Sequence, residues 1–162
     1  MKARMKVVGW RDFDDTPVTV TDPCYKRGTW CTVDNVKILP GRYNCVAYKV
    51  KKWDVEDGKR QFYERVSGAA VYHSDYMNKM GCLKRELIGE AGVDAGLCGF
   101  YQNKPDYSDE EWGKFCGKIS NMDYLITEEG FCTSSGYGDG CYDVYARRNE
   151  NGEIVGLEID FI

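Results

Sequence analysis

The sequence predicts an α+β fold that is mainly antiparallel β, either a sandwich or a strongly curved sheet, with one amphipathic helix at about 108–119 packed on the sheet. Three observations favour this class. Aromatic residues make up 14% of the 162 residues and glycine occurs 18 times, several stretches alternate apolar and polar residues, and one segment has a well-specified helical pattern. The length predicts a single domain over residues 1–162.

Charge and cysteine usage narrow the class of protein. The chain has 22 basic and 26 acidic residues, a net charge of -4, so we expect no general affinity for nucleic acids and no membrane binding. No stretch approaches the ~20 apolar residues needed to cross a bilayer. Eight cysteines without C-x-x-C spacing, and a single histidine, His73, predict reduced thiols in a cytoplasmic protein without a cofactor.

Turn residues divide the first half into short segments with strand character. These segments are residues 6–11, 18–20, 30–33, 42–50, 61–66 and 68–73. Asp57-Gly58 lies between two of them and predicts a hairpin. His73 has no serine or cysteine motif beside it, and we interpret it as a structural imidazole.

The second half carries the clearest helix signal. Residues 74–90 are ambiguous, because apolar residues recur at helical spacing while Gly81 weakens a helix. Ser108 and Glu111 match a capping box. Trp112, Phe115, Cys116 and Ile119 then recur on one helical face.

A hairpin is predicted at the C-terminus. Tyr142, Val144 and Ala146 alternate with polar residues, and residues 149–152 form a turn. Along the last strand we expect one face to carry Val155, Leu157, Ile159 and Phe161.

The candidate site centres on the glycine-rich loop of residues 134–140, which precedes this hairpin. Two other segments also place an aspartate shortly before a cysteine and an aromatic residue. If the strand ends bring the three segments together, they form one polar pocket. Its ligand-binding residues are predicted to be Asp22, Asp94, Gly96, Ser134, Ser135, Gly136, Tyr137, Gly138 and Asp139.

Three alternatives to a ligand pocket remain open. Each aspartate could instead stabilise its own turn through a side-chain hydrogen bond to the backbone. Asp22, Asp94 and Asp139 could hold a divalent cation in a metal-assisted hydrolase. A flat aromatic surface around Tyr137, Tyr142 and Tyr145 would instead indicate an immunity-type or inhibitor-type interaction module.

The same motifs resemble a known family. They are Thr21-Asp22-Pro23, Val93-Asp94-Ala95-Gly96 with Gly99-Phe100, residues 134–140 leading into Tyr142-x-Val144-Tyr145, and the hydrophobic end strand 152–162. Together they resemble the uncharacterised bacterial "domain of unknown function 4241" family. The resemblance implies a compact β-rich domain of bacterial or phage origin and no particular activity. The family pattern does not ask for cysteine at positions 98 and 141, which argues against a thiol mechanism.

These observations lead to one functional hypothesis. The protein is expected to be a non-enzymatic binding domain whose glycine and aspartate pocket recognises a small polar ligand, such as a nucleotide signal, or a host protein.

Overall fold

Strands make up most of the computed structural model, which describes residues 3–162. The eleven strands of this part are β1 (Arg4–Phe13), β2 (Val18–Thr21), β3 (Val33–Val36), β4 (Gly41–Glu56), β5 (Lys59–His73), β6 (Lys84–Val93), β7 (Leu97–Tyr101), β8 (Tyr124–Ile126), β9 (Gly130–Ser134), β10 (Gly140–Arg148) and β11 (Ile154–Asp160). A 3₁₀ helix (Ser74–Cys82) follows β5, and the helix α1 (Asp109–Ile119) lies between β7 and β8.

Two antiparallel sheets enclose the main core. The first has the order β1-β4-β5-β11-β10-β6, and the second has the order β3-β2-β7-β9-β8. Alternation along each strand places one set of side chains between the sheets, including Tyr43 and Leu157 from the first sheet and Val20, Phe100 and Phe131 from the second. The predicted α+β class with mainly antiparallel strands is confirmed.

Each sheet has a helix on its outer face. Phe115 and Ile119 of α1 pack against Leu97 and Tyr101 of the second sheet. The helix begins after Ser108, whose Oγ accepts a hydrogen bond from the N–H of Glu111 at 3.2 Å while the Glu111 carboxylate accepts one from the N–H of Ser108 at 3.3 Å. The predicted capping box and helix are therefore present.

The β4–β5 hairpin extends beyond the body of the first sheet. Asp57 and Gly58 connect its strands with φ values of 51° and 74°, as the predicted Asp-Gly turn requires. Nearly all residues from 51 to 64 are exposed, and we call this segment the arm. Strand β5 runs without interruption from Lys59 to His73, so the two strands predicted over 61–66 and 68–73 are one.

The structure corrects one predicted strand and resolves the ambiguous segment of residues 74–90. The strand predicted at 30–33 is wrong, because β3 begins only at Val33 and Thr32 Oγ1 donates to the Thr29 carbonyl at 2.8 Å within a turn. Residues 74–90 divide into the 3₁₀ helix and β6.

One predicted strand face also needs correction. Leu157, Ile159 and Phe161 face the main core as expected, but Val155 packs on the opposite side of the sheet beside Tyr72 and Met80. The cause is a register shift that pairs Arg148 with Ile154.

His73 is buried and has a structural role. Its Nε2 lies 3.1 Å from the Pro40 carbonyl oxygen and its Nδ1 accepts from the N–H of Asp75 at 3.2 Å. All eight cysteines are free thiols. Within residues 3–162, neither helix is long and apolar enough to cross a membrane.

Candidate functional site

The three aspartate segments meet at one end of the sandwich, but Asp22 points inward. It follows β2, its side chain is fully buried, and both carboxylate oxygens accept backbone hydrogen bonds. Oδ1 accepts from the N–H of Cys24 at 2.9 Å, and Oδ2 accepts from the N–H groups of Asp94 and Ala95 at 2.9 and 2.7 Å. Asp22 therefore holds its own turn and the β6–β7 turn together.

The glycine-rich loop binds the other side of the β6–β7 turn. Asp139 Oδ1 accepts from the N–H of Gly96 at 3.0 Å, and the N–H of Ser135 donates to the Gly96 carbonyl at 2.8 Å. We call this arrangement of Asp22, Asp94, Ala95, Gly96 and Asp139 the clasp. The structure thus unites the predicted segments, while two of the three carboxylates are engaged by backbone amides.

The loop also satisfies most of its own polar atoms. Ser135 Oγ donates to the Gly138 carbonyl at 2.7 Å, and Ser134 Oγ accepts from the N–H of Gly136 at 3.1 Å. Gly136 has a φ of 66° and lies against the backbone of Val66, where a Cβ would collide with the carbonyl. The loop conformation therefore requires glycine at position 136.

The nine predicted residues differ in their access to solvent. Asp94, Gly138 and Asp139 are exposed, whereas Asp22 and Ser135 are buried. The half-buried members are Gly96, Ser134, Gly136 and Tyr137. Ligand binding by these residues stays a prediction. In the part of the chain that the structure describes, no group of three or more metal-ligating side chains is placed to hold a cation.

The three tyrosines considered as an aromatic surface do not share one face. Tyr142 packs its ring edge against Phe161 of the main core, with centroids 5.1 Å apart. Tyr145 lies on the opposite face of β10 under the guanidinium of Arg85, 3.5 Å from the ring centroid. Tyr137 packs against the main core. These positions rule out one flat surface formed by all three rings.

A cavity of about 230 Å³ lies next to the clasp. We call it the β2–β3 cavity. It combines three cationic residues, four threonines, one carboxylate and two side-chain amides, and these residues are Lys26, Arg27, Lys104, Thr16, Thr19, Thr21, Thr32, Asp34, Asn35 and Asn103. Positive charge therefore predominates in its wall.

Lys104 is the unusual member of this wall. The residue is only 5% exposed, and its Nζ donates to the carbonyls of Pro23 and Pro105 at 3.2 and 2.8 Å. Burial lowers the pKa of its ammonium group. Among residues 3–162 it forms no ion pair with a carboxylate. The charges of Asp106 and Asp22 act on the ammonium from a longer distance and partly offset the effect of burial on its pKa.

Hydrogen bonds fix three further polar side chains of the cavity wall, those of Arg27, Thr19 and Thr21. Arg27 Nε donates to the Lys104 carbonyl at 2.8 Å. Thr19 Oγ1 donates to Asp34 Oδ1 at 2.5 Å, and Thr21 Oγ1 donates to the Asp22 carbonyl at 2.9 Å. Because these hydroxyl protons are already used, the threonine oxygens are left as acceptors. The cavity can pair cations with an anion and hydroxyl oxygens with ligand donors.

Sequence reasoning missed this cavity, although β2 contains a usable signal. Val18 and Val20 face the core, whereas Thr19 and Thr21 alternate with them and face the cavity. That alternation predicts a polar face on β2. The burial of Lys104 has no comparable signal, because it depends on the packing of two loops that are distant in sequence.

A second polar cluster lies on the outer face of the first sheet. Glu158 is buried and accepts from Tyr72, from Arg85 Nε at 2.7 Å and from Arg147 Nε at 3.2 Å. Burial, together with the Glu158 charge, raises the pKa of Tyr72. The Glu158 carboxylate is thus paired with two guanidinium groups and one tyrosine hydroxyl, and a polar network whose hydrogen bonds are satisfied in this way rigidifies the fold.

Comparison of the chain with protein-family models, curated proteins and solved structures gives no match. The resemblance to the "domain of unknown function 4241" family therefore stays a prediction.

Proposed function

We propose that the protein is a binding domain that holds a small polar ligand carrying an anionic group in the β2–β3 cavity. The observation that carries this proposal is the set of three cationic residues in the cavity wall, which includes the buried Lys104, a residue that forms no ion pair with a carboxylate within residues 3–162. Burying a charge is unfavourable unless an opposite charge compensates it. A ligand anion beside Lys104 would supply that compensation.

The surrounding residues support the same ligand chemistry. Lys26 and Arg27 are exposed at the cavity wall and can attract an anion before it reaches Lys104. The oxygens of Thr19 and Thr21 can accept hydrogen bonds from hydroxyl groups of the ligand. This combination favours a small phosphorylated or carboxylated polyhydroxyl compound.

The size of the cavity and the charge of the whole chain limit the ligand further. A volume of about 230 Å³ lies below the roughly 300–1,000 Å³ of sites for drug-sized ligands. The net charge of -4 opposes binding of long polyanions. The ligand we propose is therefore a free small molecule, and no reaction is assigned to it.

The clasp supports this site from behind. Asp22 fixes the turn that contains Pro23, and the Pro23 carbonyl holds the Lys104 ammonium. The predicted glycine and aspartate pocket is thus replaced as the proposed binding surface by the adjacent cavity, which shares Thr21 with its motif.

Thermal unfolding with added anions tests the proposal. Phosphate, citrate and ribose 5-phosphate are compared, since a ligand at 100 times its Kd stabilises the native state by about 2.7 kcal/mol. We expect at least one of them to raise the Tm of the wild type and to have no effect on Lys104→Met. Lys37→Met, which removes an exposed lysine outside the cavity, is the matched control.

Two outcomes would contradict the proposal. One is that none of these anions raises the wild-type Tm. The other is that Lys104→Met binds as tightly as Lys37→Met. If Lys104→Met does not fold, Arg27→Ala supplies a second test, because Arg27 is exposed and its loss should still weaken anion binding.

The arm supports a second candidate function, that of a protein-interaction module. Trp53 and Phe62 are opposite each other in the hairpin with ring centroids 4.8 Å apart. They are 54% and 43% exposed, and Val55 is 70% exposed. Lys51 and Arg60 lie over the Phe62 and Trp53 rings, so an apolar partner surface bordered by acidic residues would be complementary.

A pull-down from host lysate tests this second function. We expect the wild type to retain a specific protein that Phe62→Ser does not retain, and that is released at high salt because the cations contribute. Equal retention by both proteins, or no specific retention, would exclude the arm as the binding surface.

A further inference from the structure

Trp30 is an exposed residue of the loop that borders the β2–β3 cavity. Its side chain is 90% exposed, more than any other large hydrophobic residue in the part of the chain described. In sequence it lies between Gly28 and Thr32, and both of these line the cavity. Tryptophan is highly buried on average, so an almost fully exposed indole at this position needs a reason.

Hydrogen bonds hold the loop that contains Trp30. The N–H and Oγ1 of Thr29 donate to the Lys26 carbonyl at 3.3 and 2.6 Å, and Thr32 Oγ1 donates to the Thr29 carbonyl at 2.8 Å. Two successive turns therefore hold the backbone on either side of Trp30. The exposed indole thus belongs to the loop that also supplies Lys26, Arg27 and Gly28 to the cavity wall.

We propose that the ligand of the β2–β3 cavity is a mononucleotide whose base stacks on Trp30. This inference rests on the proposed function, which supplies the anion site. The phosphate pairs with Lys104 and Arg27, the ribose hydroxyls donate to threonine oxygens, and the base lies outside the cavity on the indole. Base stacking on an aromatic side chain needs only an exposed π face, which Trp30 provides.

The distribution of groups explains why a nucleotide suits the site better than a phosphorylated sugar alone. Cations and hydroxyl oxygens are inside the cavity, whereas the large apolar ring is outside it. A sugar phosphate would use the first two groups and leave the indole in water. A mononucleotide has an anion, hydroxyls and an aromatic ring in this order along one molecule.

Calorimetric titrations with matched ligands test the inference. The probes are inorganic phosphate, ribose 5-phosphate, AMP, GMP and UMP, titrated into the wild type, Trp30→Ala and Trp53→Ala. Trp53 is an exposed tryptophan on the arm and serves as the control. We expect at least one nucleotide to bind the wild type and Trp53→Ala about tenfold more tightly than ribose 5-phosphate does.

In Trp30→Ala this advantage should disappear while the affinity for ribose 5-phosphate is unchanged. Nucleotide binding should also quench tryptophan fluorescence in Trp53→Ala but not in Trp30→Ala. Equal affinities for nucleotides and ribose 5-phosphate in the wild type would overturn the inference and leave the anion site standing. If none of the five probes binds, both the inference and the proposed function fail.

Discussion

Removing the Asp22 carboxylate is expected to weaken the fold strongly. Its two oxygens accept three backbone hydrogen bonds at 2.7–2.9 Å. A hydrogen bond to a charged group contributes about 1.5–3 kcal/mol. Because the three donors are only partly buried, water can replace part of this, and we expect Asp22→Ala to lower the free energy of unfolding by about 4 kcal/mol.

Asparagine at the same position should have a smaller effect. Its amide oxygen can still accept hydrogen bonds from the N–H groups of Asp94 and Ala95, but its NH₂ group then faces the N–H of Cys24. One hydrogen bond is therefore lost, and the two that remain have an uncharged acceptor. We expect Asp22→Asn to lower the free energy of unfolding by about 2 kcal/mol. Asp139→Asn is the matched control, since Asp139 is exposed and its single bond to Gly96 can be kept.

Urea unfolding measures these differences. With a slope of about 2 kcal/mol per M, the Asp22→Ala midpoint should fall by about 2 M and the Asp22→Asn midpoint by about 1 M. The urea midpoint of Asp139→Asn should differ from the wild-type midpoint by less than about 0.3 M. A wild-type midpoint for Asp22→Asn combined with lost ligand binding would refute the reasoning, because Asp22 would then be a ligand-binding group.

Three other perturbations have expected outcomes. Glu158→Gln should lower the free energy of unfolding by about 3 kcal/mol, because it leaves two partly buried guanidinium groups without their carboxylate. Within residues 3–162 Glu86 pairs only with Arg148, so Glu86→Gln should lower it by less than about 1 kcal/mol. Equal urea midpoints for the two variants would contradict this. Gly136→Ala should lower the melting temperature of the protein far more than Gly138→Ala, because a Cβ at position 136 would collide with the Val66 backbone while a Cβ at position 138 would meet open space. Similar melting temperatures of the two variants would be the contrary result. Burial raises the pKa of the Cys45 and Cys132 thiols from 9.0 to about 12. Above pH 9 the unfolded chain therefore loses thiol protons that the native state keeps, and each thiol should lower the free energy of unfolding by about 1.4 kcal/mol per pH unit between pH 9 and 12. A urea midpoint at pH 10.5 that equals the midpoint at pH 8 would be the contrary result.

Elements with complete local signals could be predicted from the sequence. Helix α1 has its capping box and its apolar face within residues 108–119, and Asp57-Gly58 specifies its hairpin without reference to the rest of the chain. Elements that depend on an irregularity could not be predicted. The face of Val155 changes at a register shift opposite Arg148, and nothing in the alternation of β11 marks that position.

The candidate site also depends on contacts that cannot be predicted from the sequence. From the sequence, the meeting of the segments of Asp22, Asp94 and Asp139 is one interpretation among several, and the structure brings the three segments together. The sequence could not show what these carboxylates bind. Their partners include the backbone N–H groups of residues 94–96, and a backbone N–H group is present whatever the side chain is, so the residue types do not reveal these bonds. The burial of Lys104 arises from contacts with Pro23, which is 81 residues away in the chain.

The clasp and the cavity are linked through Pro23, and this link separates the roles of their residues. Asp22 holds the turn, the turn presents the Pro23 carbonyl, and that carbonyl holds the ammonium of Lys104. A change at Asp22 should therefore reduce both stability and anion affinity, whereas a change at Arg27 should reduce anion affinity with little effect on stability. If Asp22→Asn lost stability but kept its full affinity for anions, the position of Lys104 would not depend on the clasp, and the contact with Pro105 at 2.8 Å would be sufficient to hold it.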